Sequence, residues 1–251
     1  MNSKTRYWTR QELILALYLY YITPFSKISA SSNNDIKELA SRIERSASAV
    51  ALKLVNFASL DSSLQRRNIS GMKNASKADM AIWKEFNQQW ENLIEQREKI
   101  LFNLSFPKCE NGTANNFVGM EKEVTSKGRV NQSFFRNAVL SAYDYQCCIT
   151  GLSVSEILIA SHIIPWAVDE KNRLNPSNGL CMNPLHDRAF DVGLITITPE
   201  LKIKVSKTVK QKSKSFEDYF RSFENQRIRL PNKFLPKPEF LDYHNSKIFR
   251  K

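Results

Sequence analysis

The chain lacks three things, and each lack removes a class of protein. No apolar run reaches the length of a membrane span: Leu13–Ile22 is ten residues long and is abutted by Glu12, about half of what a spanning helix needs. Basic residues precede that run, yet no small-residue cleavage site follows it, so a secretory leader is not expected and a cytoplasmic location is. Cysteine is scarce. Cys109, Cys147, Cys148 and Cys181 give no even disulfide framework, and no Cys-x-x-Cys pair is present to hold a four-thiolate zinc. Cys148 and Cys181 read as core thiols, and no structural zinc is expected. Histidine is scarcer still, three in 251 residues, and no internal repeat is visible.

What is present suits a two-domain protein that meets a polyanion. Hydrophobic residues make up 42% and aromatics 11%, enough for real cores in a chain with room for two domains. The formal net charge is +12, which favours nucleic acid as a partner. The charge is uneven. Leu201–Lys251 holds fourteen Lys and Arg against five Asp and Glu, whereas Leu101–Glu200 holds eight against ten. Electrostatic grip must therefore come from the flanks of the middle segment.

The first hundred residues read as helices. Thr9-Arg10-Gln11-Glu12 has capping-box spacing and opens a helix that Thr23-Pro24 ends. A second helix starts at Asn34 or Asp35 with Ile36, Leu39, Ala40 and Ile43 on one face. Ser46 caps a third, with Ala47, Val50, Leu54 and Phe57 inward and Ser48, Ala51, Lys53 and Asn56 outward. Two short helices and a tight turn make a helix-turn-helix or winged-helix-like unit, with Ser48, Lys53 and Asn56 as the candidate DNA-reading side chains. Arg66 and Arg67 sit in a basic loop after it and are candidate phosphate contacts. A further helix runs from Ser76 to about Phe102, its stripe of Ile82, Trp83, Phe86, Trp90 and Leu93 belonging to the core. The domains expected are 1–104, helical and DNA-binding; 105–128, a linker; and 129–251, with a basic C-terminal extension. Ser133 caps the helix that enters the last of these. After Leu194, two alternating strands around Pro199-Glu200 project Lys202 and Lys204 toward DNA, Phe216–Phe223 is helical, and Pro231, Pro236 and Pro238 keep the end extended.

Ile157–Leu194 organises the rest. Ile157–Ile164 is apolar and rich in β-branched residues, a buried strand. Asn175–Gly179 breaks into a loop and turn, Leu180–Met182 returns as a second strand, and Asn183-Pro184 caps a helix carrying His186, Asp187, Arg188 and Phe190. One His leaves a strand and another sits on the helix, with Asn178-Gly179 between. Phosphodiester hydrolysis needs a base for water, a cation at the phosphate and protonation of the leaving oxygen. Imidazole titrates near working pH, so His162 suits the base; His186 is a competent ligand for a divalent ion; and the Asn178 amide can both donate and accept, pinning the loop beside the base.

Ser161-His162-Ile163-Ile164-Pro165-Trp166, Asn178-Gly179-Leu180, and Leu185-His186 with Phe190-Asp191 together resemble the HNH, or ββα-metal, nucleases. The flanking Asn131–Gly151 is similar to the branch found in bacterial restriction endonucleases. The resemblance covers about Arg129–Thr198. It implies an α+β protein with a C-terminal ββα-metal nuclease domain after the helical one. It also implies a metal-dependent DNA endonuclease, of restriction type and open to modification dependence, leaving 5′-phosphate and 3′-hydroxyl ends. The implied catalytic set is His162, Asn178 and His186, with one Mg2+ or Mn2+. The family carries Asp or His before the base and here the residue is Ser161, so the ligand set proposed is His186, Ser161 and Asp191, with Asp187 next in line. Arg188, on the same helix, is a candidate phosphate contact. The expected partner is double-stranded DNA, with no membrane, and a homodimer stays open. Two rivals remain: a DNA-binding regulator with an inactive HNH remnant, favoured by Ser161, and a zinc-stabilised nucleic-acid module using Cys147, Cys148, Cys181 and His186.

Overall fold

The computed structural model describes residues 6–65, 75–105, 120–208 and 213–251, with the side chains of 120–127 left aside. The chain forms two compact units, Met1–Phe134 and Phe135–Lys251. Among the described residues helices dominate, with two small antiparallel sheets, both in the second unit. No helix among the described residues is long and apolar enough to cross a membrane.

The first unit is built around α1, Arg10–Ile22. Every residue from Glu12 to Tyr21 is buried, and a helix apolar all round must be covered on all sides. Its start is fixed as the spacing predicts: Glu12 N–H donates to Thr9 Oγ1 and Thr9 N–H to Glu12 Oε2. Around it pack α2 (Asn34–Arg42), α3 (Ala47–Leu60), α5 (Lys77–Phe86) and α6 (Trp90–Ser105), with the short α4 (Ser62–Gln65) after α3. The single helix expected from Ser76 to Phe102 is two. Asn87 leaves helical space and Gln88 adopts a positive φ of 62°, which ends the first segment.

The outward face expected of α3 is corrected. Lys53 and Asn56 are buried, because α5 covers that side: Lys53 Nζ donates to both carboxylate oxygens of Asp79 at 2.8 and 3.0 Å. Lys53 also lies 5.0 Å from the Trp8 ring centre, and Arg45 lies 4.3 Å from it while pairing with Glu12. Lys53 is the one charged residue within α3, so its solvent side, with Ser48 and Leu52 exposed, is uncharged.

α7 (Met120–Ala142) begins in the first unit and ends in the second; it is already helical before Ser133, so that residue lies inside a helix rather than capping one, and the helix begins within the stretch read as linker. β1 (Ile159–His162) pairs with β2 (Gly179–Met182) in register Ser161 to Leu180 and His162 to Gly179, and α8 (Pro184–Asp191) follows, capped by Asn183 with Pro184 in its first turn. β3 (Ile195–Ile197) and β4 (Ile203–Val205) form the second hairpin, with Lys202 and Lys204 exposed. α9 (Lys214–Tyr219) and α10 (Pro238–Lys247) complete the unit. The last helix corrects the extended terminus expected from three prolines: Pro238 occupies its first turn, where a missing N–H costs nothing. His244 then ties α10 down, its Nδ1 to Thr196 Oγ1 at 2.8 Å, its Nε2 to the Phe190 carbonyl at 3.1 Å, and its ring stacked 3.6 Å from that of Phe190.

Gly179 is required by packing rather than by a turn. Its backbone is extended at φ −130°, but a Cβ there would collide with Val139 Cγ2 and come within 2.9 Å of Phe135 Cζ. Gly179→Ala should therefore destabilise the protein by about 1–3 kcal/mol, the usual range for overpacking. Denaturant titration checks this, and an unchanged midpoint would mean that α7 yields.

Candidate functional site

His162 ends β1, half-buried, on the side of the hairpin that α7 covers. Directly paired residues of an antiparallel ladder project to the same face, and both His162 and the place of a Gly179 side chain meet Phe135. The imidazole stacks on Phe135 with ring centres 3.8 Å apart and planes 10° apart, and the Trp166 ring lies at a right angle to it with centres 5.5 Å apart. Nε2 lies 3.0 Å from the Arg173 carbonyl. A carbonyl can only accept, so Nε2 carries the proton and Nδ1 keeps the lone pair. Burial pushes the His162 pKa below the usual 6.5, with the Arg173 carbonyl opposing in part. The ring is thus neutral, oriented and able to accept a proton.

The loop that delivers Arg173 is held by its own amides. Asp169 Oδ1 accepts from the N–H groups of Lys171 and Asn172, Asp169 Oδ2 from Asn172 Nδ2, and Asn172 Oδ1 from Asn175 Nδ2. Asn178 is wholly buried. Its Oδ1 accepts from Ile164 N–H at 2.8 Å, while its Nδ2 donates to the Ile164 carbonyl at 3.2 Å and the Asn172 carbonyl at 3.4 Å. One side chain thereby clamps the backbone two residues after His162 to the loop that orients its ring.

His186 lies elsewhere in its chemistry. It is 2% exposed, Nε2 donates to the Tyr219 carbonyl at 2.8 Å, and Nδ1 lies 3.1 Å from Asn183 Oδ1, which also caps α8 by accepting from His186 N–H at 2.9 Å. Phe220 and Phe223 meet its ring edge-on. Burial lowers its pKa, and the Tyr219 carbonyl opposes.

Residues 147–198 match the family model described as HNH endonuclease. The C-terminal half carries an HNH domain. No curated protein matches the chain. The match begins at Cys147 and ends at Thr198, so it spans both strands of the first hairpin, α8 and β3, and it includes His162, Asn178 and His186.

HNH nucleases generally use a divalent metal, and the side chains as folded do not fit one at the expected ligands. His186 spends Nε2 as a donor on the Tyr219 carbonyl, and its Nδ1 faces Asn183 Oδ1 rather than another metal ligand. Ser161 is buried, its hydroxyl without a hydrogen-bond partner. Asp191 follows His186 by five positions, so about 140° of helical rotation separates their side chains at 3.6 residues per turn. Burial first, and the neighbouring Asp187 charge second, raise the Asp191 carboxyl above its usual range while Arg188 opposes. Among the described residues no three His, Cys, Asp or Glu come together to hold an ion. The same finding applies to the four-ligand zinc set: Cys147, Cys148 and Cys181 are buried thiols, and burial pushes Cys181 up to about 12. Of the DNA-contact candidates, Ser48, Arg188, Lys202 and Lys204 are exposed, Lys53 and Asn56 are buried, and Arg66 and Arg67 lie outside the described residues. The Arg173 carbonyl was missed by sequence reasoning, since a main-chain acceptor leaves no residue signature.

Proposed function

We propose that the chain is a DNA endonuclease that hydrolyses phosphodiester bonds with His162 as general base, acting in restriction of foreign DNA. The observation that carries this is the His162 ring, held by the Arg173 carbonyl so that Nδ1 alone is free to take a proton. Water approaching the phosphorus gives that proton to Nδ1, and the stack on Phe135 keeps the ring from turning as the bond forms. Asn178 keeps the loop and base in one geometry, which fits a positioning role. The exposed Lys202 and Lys204 on the β3–β4 hairpin supply phosphate contacts, with Arg188 as a further one. The helix-turn-helix reading of α2 and α3 keeps only the short connection between them in its favour, because α3 shows no charge to solvent.

Incubation of the purified full chain with plasmid and phage DNA, unmodified and modified, in Mg2+ or Mn2+ tests the reading. Cleavage to 5′-phosphate ends is expected. Binding without cleavage on every substrate would instead favour a DNA-binding regulator with an inactive remnant.

The pH profile is a sharper check. A general base must be neutral, and His162 titrates below 6.5 because of its burial. The single-turnover rate should therefore stay flat through pH 7 and fall only as pH drops below 6.5. An acid limb centred above 6.5 would assign the proton transfer to another group.

A further inference from the structure

Arg173 reaches the His162 neighbourhood twice. Its carbonyl orients the imidazole, and its guanidinium carbon stands 5.2 Å from the centre of the Trp166 ring, the same ring that stands perpendicular to His162 at 5.5 Å. One residue thus brings an acceptor to the base and a cation to the aromatic wall beside it. Arg173 Nε is buried and has no hydrogen-bond partner. Nη2 pairs at 2.9 Å with Glu170, whose side chain is 84% exposed. A pair whose carboxylate stands in solvent holds a cation weakly, and an orphaned buried N–H is costly and uncommon, a feature of sites that await a partner.

We propose that Arg173 binds the scissile phosphate, exchanging Glu170 for the non-bridging oxygens beside His162, an inference that rests on the nuclease reading above. The planar guanidinium fits two phosphate oxygens at once, which a lysine cannot. In the step itself the water oxygen–phosphorus bond forms and the bond from phosphorus to the 3′ oxygen breaks. His162 Nδ1 takes the proton from water and the leaving oxygen takes one from solvent. Arg173 transfers no proton; it stabilises the charge that grows on the equatorial oxygens. A fixed cation near the base also answers the need for positive charge that His186, closed off by Tyr219, does not meet as folded.

Single-turnover cleavage of plasmid DNA by the full chain in Mg2+ or Mn2+ tests the proposal. Arg173→Ala should slow cleavage by about 10²–10³-fold, the range for loss of one oxyanion donor, with DNA affinity changed by less than about threefold. Millimolar guanidinium in the buffer should restore part of the rate, a rescue that a purely structural residue would not give. A rate within about threefold of wild type, or a loss that guanidinium leaves untouched, overturns the assignment. Should Arg173→Ala differ from wild type in circular dichroism, Arg173→Gln, which keeps the stem over Trp166, is held to the same criteria. A wild-type protein inert on every DNA is a separate result, seen before any substitution, and overturns the nuclease reading instead.

Discussion

His162→Ala should lower single-turnover cleavage by about 10²–10⁴-fold, the range for general-base catalysis, while leaving DNA affinity nearly intact. The two quantities separate because the ring is half-buried between Phe135 and Trp166 and spends its one donor on the Arg173 carbonyl. In the proposed role it has no donor left for ground-state binding and offers only a lone pair to the reacting water. Gel-shift titration and rapid-quench kinetics on the same DNA measure both. A variant keeping more than a tenth of wild-type cleavage would remove His162 from the role of base. His162→Asn, which can still reach a carbonyl but accepts protons poorly, should be as slow as the alanine variant, so the loss belongs to basicity rather than to the hydrogen bond.

Asp79→Ala should be the most destabilising single change in the N-terminal unit, by about 3–5 kcal/mol, because removing one member of a buried pair leaves the other charge uncompensated. Asp79 is fully buried, accepts twice from Lys53 and once from the Ser76 N–H, and receives the Ser76 cap in return. The alanine therefore strands an ammonium and undoes the start of α5 together. Adding Lys53→Met to Asp79→Ala should recover much of the loss, since a buried ion pair exchanged for apolar packing is often neutral. Chemical denaturation of the three variants decides it. A double variant no more stable than Asp79→Ala would mean that the helix cap, not the stranded charge, dominates. The neighbouring Glu12–Arg45 pair behaves differently with acid. Burial raises the Glu12 carboxyl, but the Arg45 hydrogen bond, the Thr9 N–H and the charges of Arg45 and Arg6 outweigh it and hold the pKa below the usual 4.5. Its stabilising contribution is therefore present above about pH 4.5 and is lost as pH falls through that lowered value.

The parts of this molecule that were legible in the sequence are those specified by near neighbours. Thr9 and Glu12 cap α1, Asn183 and Pro184 start α8, and the alternation around Pro199 gives the second hairpin; each is a pattern within a few residues. His162 and Asn178 stood out because their chemistry and order matched a strand–loop–strand–helix. What stayed hidden depends on partners far along the chain. Lys53 lies on a helix face that looks polar until Asp79, twenty-six positions on, turns out to cover it. Gly179 looks like a turn glycine until α7 is seen to press on it. His186 looks like an open ligand until the Tyr219 carbonyl closes it. The end of the chain looked extended because three prolines forbid helix around them, yet the last of them starts one.

The fastening of α10 has a consequence for synthesis. Phe190 is fully buried beneath the His244 ring, and Gly193 at φ 72° lets the backbone of Ile248 pass where any side chain would collide. These contacts are supplied by residues translated some fifty positions after α8, a lag of roughly 3–10 s at ordinary elongation rates. Through that interval the newborn HNH segment keeps an apolar face uncovered and its helix unclamped. The residues proposed for catalysis, His162, Asn178 and His186, are thus translated before the contacts that fasten α10 over Phe190 exist.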